Sequence, residues 1–178
     1  EGKFTPSPSA FDPEKLSWLN NEHMKHRSSE VLAALVAPFV EELGLPNPGA
    51  DKLLVLTEML RERAPTLKAL AVAMAFMLKS AAELEYDPKA WEKTVSAESK
   101  AHIEALQNRF AGLNDFSKDS LHEALNGYVQ ESGIKFKEVG PPLRFALVGS
   151  LSGPDLCQIM SVLGKEETGA RLARFLSL

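Results

Sequence analysis

His23 and His26, three residues apart with Glu22 beside them, are the first side chains that could do chemistry. One helical turn puts both imidazoles on one side, but zinc needs at least a third ligand, and none stands at a recognisable spacing. The order also departs from the His-Glu-x-x-His pattern of metalloproteases, so the trio reads as a polar helix end. Cys157 is the only cysteine. As a nucleophile it would need a nearby base and a lowered pKa. It lies among Leu156, Ile159 and Met160, which reads as a buried, inert thiol. His102 and His122 have no serine, cysteine or acid arranged with them as a triad. Met74, Phe76 and Met77 suit a core better than a cofactor pocket, and Lys165-Glu166-Glu167 reads as the solvated first turn of a helix. No Walker loop is present. The stretch Gly149 to Pro154, GSLSGP, follows an expected helix rather than a strand, so it is no dinucleotide fingerprint. Such a Gly-Ser corner still exposes backbone donors and acceptors at a helix N-terminus, which suits a phosphate or an unstacked base. On spacing alone an ordinary tight corner is the simpler reading.

The elements that must position these residues read as short helices. Asp12-Pro13 is an N-cap followed by proline at the first helical position. That helix should run to about Lys25 and bury Leu16 and Leu19, with Trp18 at their side. Ser28 or Ser29 caps a second helix ending at Gly44, with Pro38 expected to kink it. LPNPGA, Leu45 to Ala50, is a loop. Asp51 should cap a third helix with Leu53, Leu56, Met59 and Leu60 on one face. After Pro65, Thr66 caps a fourth, reaching about Lys79 and apolar nearly all round. Asp87-Pro88 repeats the cap-then-proline signal, and a boundary between two helical subdomains is placed in residues 80 to 88. Ser96 and Ser117 cap the next two helices, the second ending at Gly133. Pro141 to Val148, Pro154 to Leu163 and Lys165 to Leu176 complete the set, with breaks at Gly149 to Gly153 and at Gly164. Strand-like alternation is nearly absent, so the fold class is all-α. The Pro/Ser-rich start, Phe4 to Ala10, reads as an irregular connection.

With 178 residues, 44% of them hydrophobic and 25% charged, the chain can bury a real core under a soluble surface. No apolar run approaches the roughly 20 residues that span a bilayer, and no secretion signal opens the chain. A single cysteine excludes an internal disulfide framework and fits a reducing cytoplasm. The net charge of −4 argues weakly against nucleic acid, yet Ile134 to Leu178 carries six Lys/Arg against four Asp/Glu. A basic end on an acidic body can still meet phosphate.

Three blocks carry a resemblance. FDPEKLSWLNNEHMKHR, Phe11 to Arg27, looks like the Lys-Leu-x-Trp-x-Asn helix and basic turn just after the catalytic core of class I glutamyl-tRNA synthetases. LTEMLRERAPTLKAL, Leu56 to Leu70, resembles their "L-x-R-x-x-TLKEL" element. GPPLRFALVGSLSGPDLCQIMSVLGKEE, Gly140 to Glu167, is similar to their C-terminal block of an "LR-x-AL-x-G" helix, a "Ser/Thr-x-x-P-x-L" corner and an "LLGKE" stretch. The blocks stand in family order and cover essentially the whole chain. The chain is thereby identified with the C-terminal, anticodon-binding region of bacterial glutamyl-tRNA synthetases.

The resemblance implies an all-helical anticodon-binding cage of two small helical bundles. Residues 1–27 would be the tail of the stem-contact region, 28–85 the first subdomain and 86–178 the second. Glutaminyl relatives use β-barrels there. The family's His-x-Gly-His and Lys-x-Ser-Lys motifs are absent, so catalysis and the ATP and magnesium of the whole enzyme are expected upstream, with no cofactor and no metal in this part. The implied partners are tRNA-Glu, through its anticodon loop, and the catalytic domain of the same chain; a monomer without membrane contact is expected. Arg63 falls on the arginine that meets the third anticodon base and favours C over G. Arg144 falls on the arginine of "PLR" that faces the middle of the anticodon. Gly153 and Leu156 fall in the corner that receives the first anticodon base. Some members carry a hydroxyl residue where Gly153 stands, so only backbone contacts remain there. From the residues alone, Arg63 could instead pair within its helix, Arg144 could be a helix-end surface charge, and Leu156 could be core. A helical protein-interaction module without tRNA binding is the competing reading.

Overall fold

The computed structural model describes residues 13–178. The expected cap at Asp12, the irregular start from Phe4 to Ala10 and the side chain of Leu16 lie outside the described part. Among the described residues there are nine α-helices and no strand: α1 Pro13–Lys25, α2 Ser29–Glu42, α3 Ala50–Leu60, α4 Leu67–Leu78, α5 Pro88–Thr94, α6 Ala97–Ala111, α7 Lys118–Glu131, α8 Phe136–Val148 and α9 Leu156–Ser177. Short 3-10 turns occupy Arg61–Arg63 and Ala81–Glu83. None of the described helices is long and apolar enough to cross a membrane. The all-α expectation is met.

Most helix starts follow side-chain chemistry. The side chains of Ser28, Thr66, Asp87, Ser96 and Ser117 each accept a hydrogen bond from a backbone N–H of the turn they open. Each satisfies one of the donors that a helix start leaves orphaned. Three expectations need correction. Asp51 lies in the first turn of α3, which starts from Gly49 without a side-chain cap. Helix α8 starts at Phe136, not Pro141; Pro141 and Pro142 lie inside it. Each of the two lacks the N–H that would bond the carbonyl four residues back. On α1, Trp18 is 61% exposed and Leu19 46%. That helix is held at its far end instead: Met24 is buried, and Arg61 donates to the carbonyls of Met24, Lys25 and Arg27. Gly164 breaks α9 with a φ of 81°, where the sequence places a break.

Helices α2, α3 and α4 pack on one another, and α6, α7, α8 and α9 pack on one another. One contiguous buried cluster runs through both groups, from Leu32, Val36 and Leu56 to Phe145, Ile159 and Phe175. Burial of each such side chain stabilises by about 1.5–3 kcal/mol. Tyr86, Trp91, Phe145 and Phe175 form an aromatic knot with centroids 5.3 to 6.5 Å apart, tying α5 to α8 and α9.

The junction between the groups is polar and specific. Arg171, fully buried, donates to the carbonyl of Lys79 at 2.7 Å and of Leu147 at 2.6 Å. Arg174 reaches the carbonyl of Ala81. The Asp87 N–H donates to the Gly149 carbonyl at 3.1 Å. Gly149 caps α8 at φ 77°, and a Cβ there would stand 2.0 Å from the Glu85 carbonyl oxygen, so only glycine fits.

Candidate functional site

The chemistry-bearing residues at this junction come from two helix ends. Arg63 closes the turn that joins α3 to α4. That turn is forced because Pro65 cannot continue α3 and Thr66 restarts the chain as α4. Arg61 and Arg63, two residues apart, have separate tasks. Arg61 spends its guanidinium on the end of α1 and on Ser29 Oγ at 3.1 Å. Arg63 is exposed, and no hydrogen bond or ion pair of its side chain is found among the described residues. The pairing with Glu62 that the sequence allows is not formed.

Arg144 projects from α8 onto the corner that follows it. Its Nη1 donates to the Pro154 carbonyl at 2.6 Å. Burial pulls its pKa below the usual arginine value, and the neighbouring Arg63 charge pulls the same way, with Asp155 opposing. The two guanidiniums are thus close enough to influence each other, and neither forms an ion pair with a carboxylate among the described residues. Gly153 lies against this pair: a Cβ on it would stand 3.0 Å from Arg144 Nη1. A side chain there would press on the end of the arginine, which would have to shift by a few tenths of an ångström.

Arg63 and Gly153 line one groove of about 430 Å³. Its apolar wall includes Val72 and Phe76, and its far side is Val148, Ser150, Ser152 and Pro154. Val72 is 55% exposed, so α4 is not covered all round as its composition suggests; the uncovered stripe faces the groove. Phe76, read from the sequence as core, is half-buried and lies on that wall, whereas Met74 and Met77 are buried as expected. Lys79 at the rim pairs with Glu85 at 3.3 Å. A groove with the unpaired Arg63 guanidinium, a hydroxyl-bearing corner and an apolar wall can hold a flat, polar-edged group next to negative charge.

Leu156 does not line this groove. It is 4% exposed and belongs to the core below the corner, because it opens α9 facing inward. The structure therefore gathers Arg63, Arg144 and Gly153 and sets the Leu156 side chain beneath them.

The other candidates fall elsewhere. Glu22 pairs with Lys25 at 2.7 Å. His102 hydrogen-bonds Tyr128 through Nδ1 at 2.7 Å. Lys165 is no free surface charge, since it donates to the Leu113 carbonyl at the end of α6, and Glu167 pairs with Arg171. The sequence reading isolates His122 from Cys157; the fold brings both together with Asp155. It also misses Arg171, whose sole local sign is Glu167 four residues earlier.

A family model described as an anticodon binding domain matches residues 31–176. The chain is 45% identical over 172 residues to a glutamate–tRNA ligase of Oleidesulfovibrio alaskensis, covering 97% of this chain and 37% of that protein. It is 34% identical over 168 residues to one of Geobacter sulfurreducens, covering 94% and 36%. A crystal structure of a glutamate tRNA ligase from Elizabethkingia meningosepticum superposes with a TM-score of 0.85 at 27% identity, covering 94% of this chain and 32% of that one. The chain thus spans little more than a third of the curated relatives it matches. The helical architecture and the match over nearly the whole length agree, and the chain belongs to the anticodon-binding domain family.

Proposed function

We propose that this chain is the anticodon-reading, C-terminal part of a glutamate–tRNA ligase and that the groove lined by Arg63 and Gly153, with Arg144 against its Pro154 corner, receives the anticodon loop of tRNA-Glu. The observation that carries this reading is Arg63: an exposed guanidinium without a protein partner, beside a second arginine that is already fixed. Arg144, held by the Pro154 carbonyl, sets the middle of the site. Gly153 offers backbone only. Leu156 supports the corner from inside the core rather than meeting a base. Residues 1–27 would continue a stem-contact region, with subdomains over 28–85 and 86–178. The whole enzyme would be a monomer of the cytoplasm that consumes ATP with magnesium. The residues present here do not fit that nucleotide: the Gly-Ser corner follows a helix, and its groove is the one facing Arg63. ATP and magnesium would belong to the preceding part of the ligase.

Cytosine presents acceptors at its ring nitrogen and carbonyl, which suit a guanidinium. Guanine's pairing edge presents N–H donors, which arginine cannot accept. An arginine at the third anticodon position therefore attracts C and repels G. The discrimination at stake is about 1–3 kcal/mol.

The test is binding of tRNA-Glu and tRNA-Gln transcripts to the chain and to Arg63→Gln across a salt series. Wild type should prefer tRNA-Glu, with affinity falling as salt rises. The glutamine, with a donor and an acceptor, should narrow the preference. Salt-independent binding, no binding, or an unchanged preference in the variant would overturn the reading, and the first two would favour a protein-interaction module.

A further inference from the structure

We propose that His122, Asp155 and Cys157 form a zinc-binding site, with one imidazole nitrogen, one carboxylate oxygen and one thiolate sulfur as ligands and a fourth position open to solvent. The three come from two elements. His122 projects from α7, Asp155 is the N-cap of α9, and Cys157 is the second residue of α9. One ligand atom from each lies within 4.8 Å of the other two. His122 Nε2 stands 3.5 Å from Asp155 Oδ1. Ligand bonds of about 2.0–2.3 Å in a tetrahedron put neighbouring ligands roughly 3.3–3.7 Å apart, so the first edge has the required length. The sulfur needs to move by no more than roughly 1 Å.

The donor set selects the metal. A thiolate with an imidazole suits zinc or another borderline or soft ion and disfavours magnesium and calcium, which take oxygen ligands. His122 and Asp155 are 42% and 39% exposed at the side chain, so an ion enters from solvent, whereas Cys157 closes the site from the core side. Asp155 is already oriented, accepting the Gln158 N–H at 2.9 Å, a support of the kind that fixes metal-bound carboxylates. Lys118 Nζ, 3.7 Å from Asp155 Oδ1 and half exposed, is the competing cation and swings out as the metal enters.

Binding is written Cys157–SH + Zn²⁺ → Cys157–S⁻–Zn²⁺ + H⁺, the proton leaving to solvent, with His122 bound through its neutral Nε2. Burial and the Asp155 charge hold the metal-free thiol at about 12, so each zinc bound at neutral pH should release close to one proton.

The test uses cobalt(II) on the reduced 178-residue chain, with zinc as competitor. Because Cys157 is the sole cysteine, a thiolate-to-cobalt charge-transfer band in the near ultraviolet reports this site alone. One cobalt per chain, displaced by zinc, is expected. The band should vanish in Cys157→Ser, and His122→Ala should weaken cobalt by more than about 100-fold, beyond what losing an outer-shell partner alone does. His122 is at the surface, so that variant tests the site even if Cys157→Ser fails to fold. No band in the wild type, or unchanged affinity in His122→Ala, overturns the site.

Discussion

Replacing Arg171 with methionine probes what holds the two helix groups together. The guanidinium serves two carbonyls at once: Lys79, which caps the end of α4, and Leu147 in the last turn of α8. Both are C-terminal helix ends, where orphan carbonyls and the negative end of the helix dipole coincide. A hydrogen bond from a charged donor contributes about 1.5–3 kcal/mol, so the two are worth roughly 3–6 kcal/mol before desolvation of the buried cation is subtracted. Methionine fills similar volume, which keeps the cavity contribution small, but leaves the buried Leu147 carbonyl and the partly buried Lys79 carbonyl without this donor. Leaving a buried polar group unsatisfied costs about 1–3 kcal/mol, so a loss of about 2–5 kcal/mol is expected for the two together. It is a large part of the roughly 5–15 kcal/mol that stabilises a domain. Glu167, the ion-pair partner, is 30% exposed at its side chain, so Glu167→Gln should cost less than about 1 kcal/mol. Urea unfolding followed by far-ultraviolet circular dichroism measures all three proteins. The reasoning fails if Arg171→Met costs under about 1 kcal/mol, or if Glu167→Gln costs as much as Arg171→Met.

Gly149→Ala should destabilise by about 2–4 kcal/mol, because it adds positive-φ strain to a Cβ 2.0 Å from the Glu85 carbonyl oxygen; a thermal melt within a degree of wild type would refute this. In the metal-free chain, Cys157 should resist alkylation at pH 8, since burial and Asp155 keep its thiol up at about 12; labelling as fast as that of a free thiol would contradict it. Hydrogen bonds from Ser117 and Ser120 hold the Asp115 carboxyl below its ordinary value. Its contribution is therefore complete above the unfolded pKa, about 3.9, and is lost as pH falls through the lower folded value. Hydrogen exchange at the start of α7 should rise there in wild type but show no such acid step in Asp115→Asn; identical acid profiles would exclude the role.

What was legible in the sequence was local. Ser28, Thr66, Asp87, Ser96 and Ser117 announce helix starts because a cap needs only its own next three residues. Gly164 announces a break for the same reason. Misplacement occurred where tertiary contacts outvoted a local rule. Two prolines suggest that α8 starts at Pro141, yet Val139 and Gly140 are buried ahead of Pro142 and Leu143, and packing carries the helix back to Phe136. Trp18 and Leu19 look like core by type, but α1 is anchored through Arg61 at its other end. Arg63 and Arg144 were reachable from family resemblance. Nothing within their own neighbourhoods says that they come close, because they lie on different helix groups and approach only after folding.

That separation explains why the junction matters to the site. The groove has one wall from the α3–α4 turn and α4, and the other from the corner between α8 and α9. Neither wall alone brings Arg63 within reach of Arg144. Their spacing is set by contacts that bind no ligand: Arg171 between the ends of α4 and α8, Arg174 on Ala81, and the backbone bond from Asp87 to Gly149. Burial lowers the Arg144 pKa most, and the nearby Arg63 charge adds to it, with Asp155 opposing. A junction built from a fully buried cation and a glycine that admits no side chain supplies the rigidity to keep the two arginines apposed. An anionic, flat-edged ligand entering the groove would meet the unpaired Arg63 charge with Arg144 close behind it, so positive potential left uncompensated in the empty fold becomes favourable to binding.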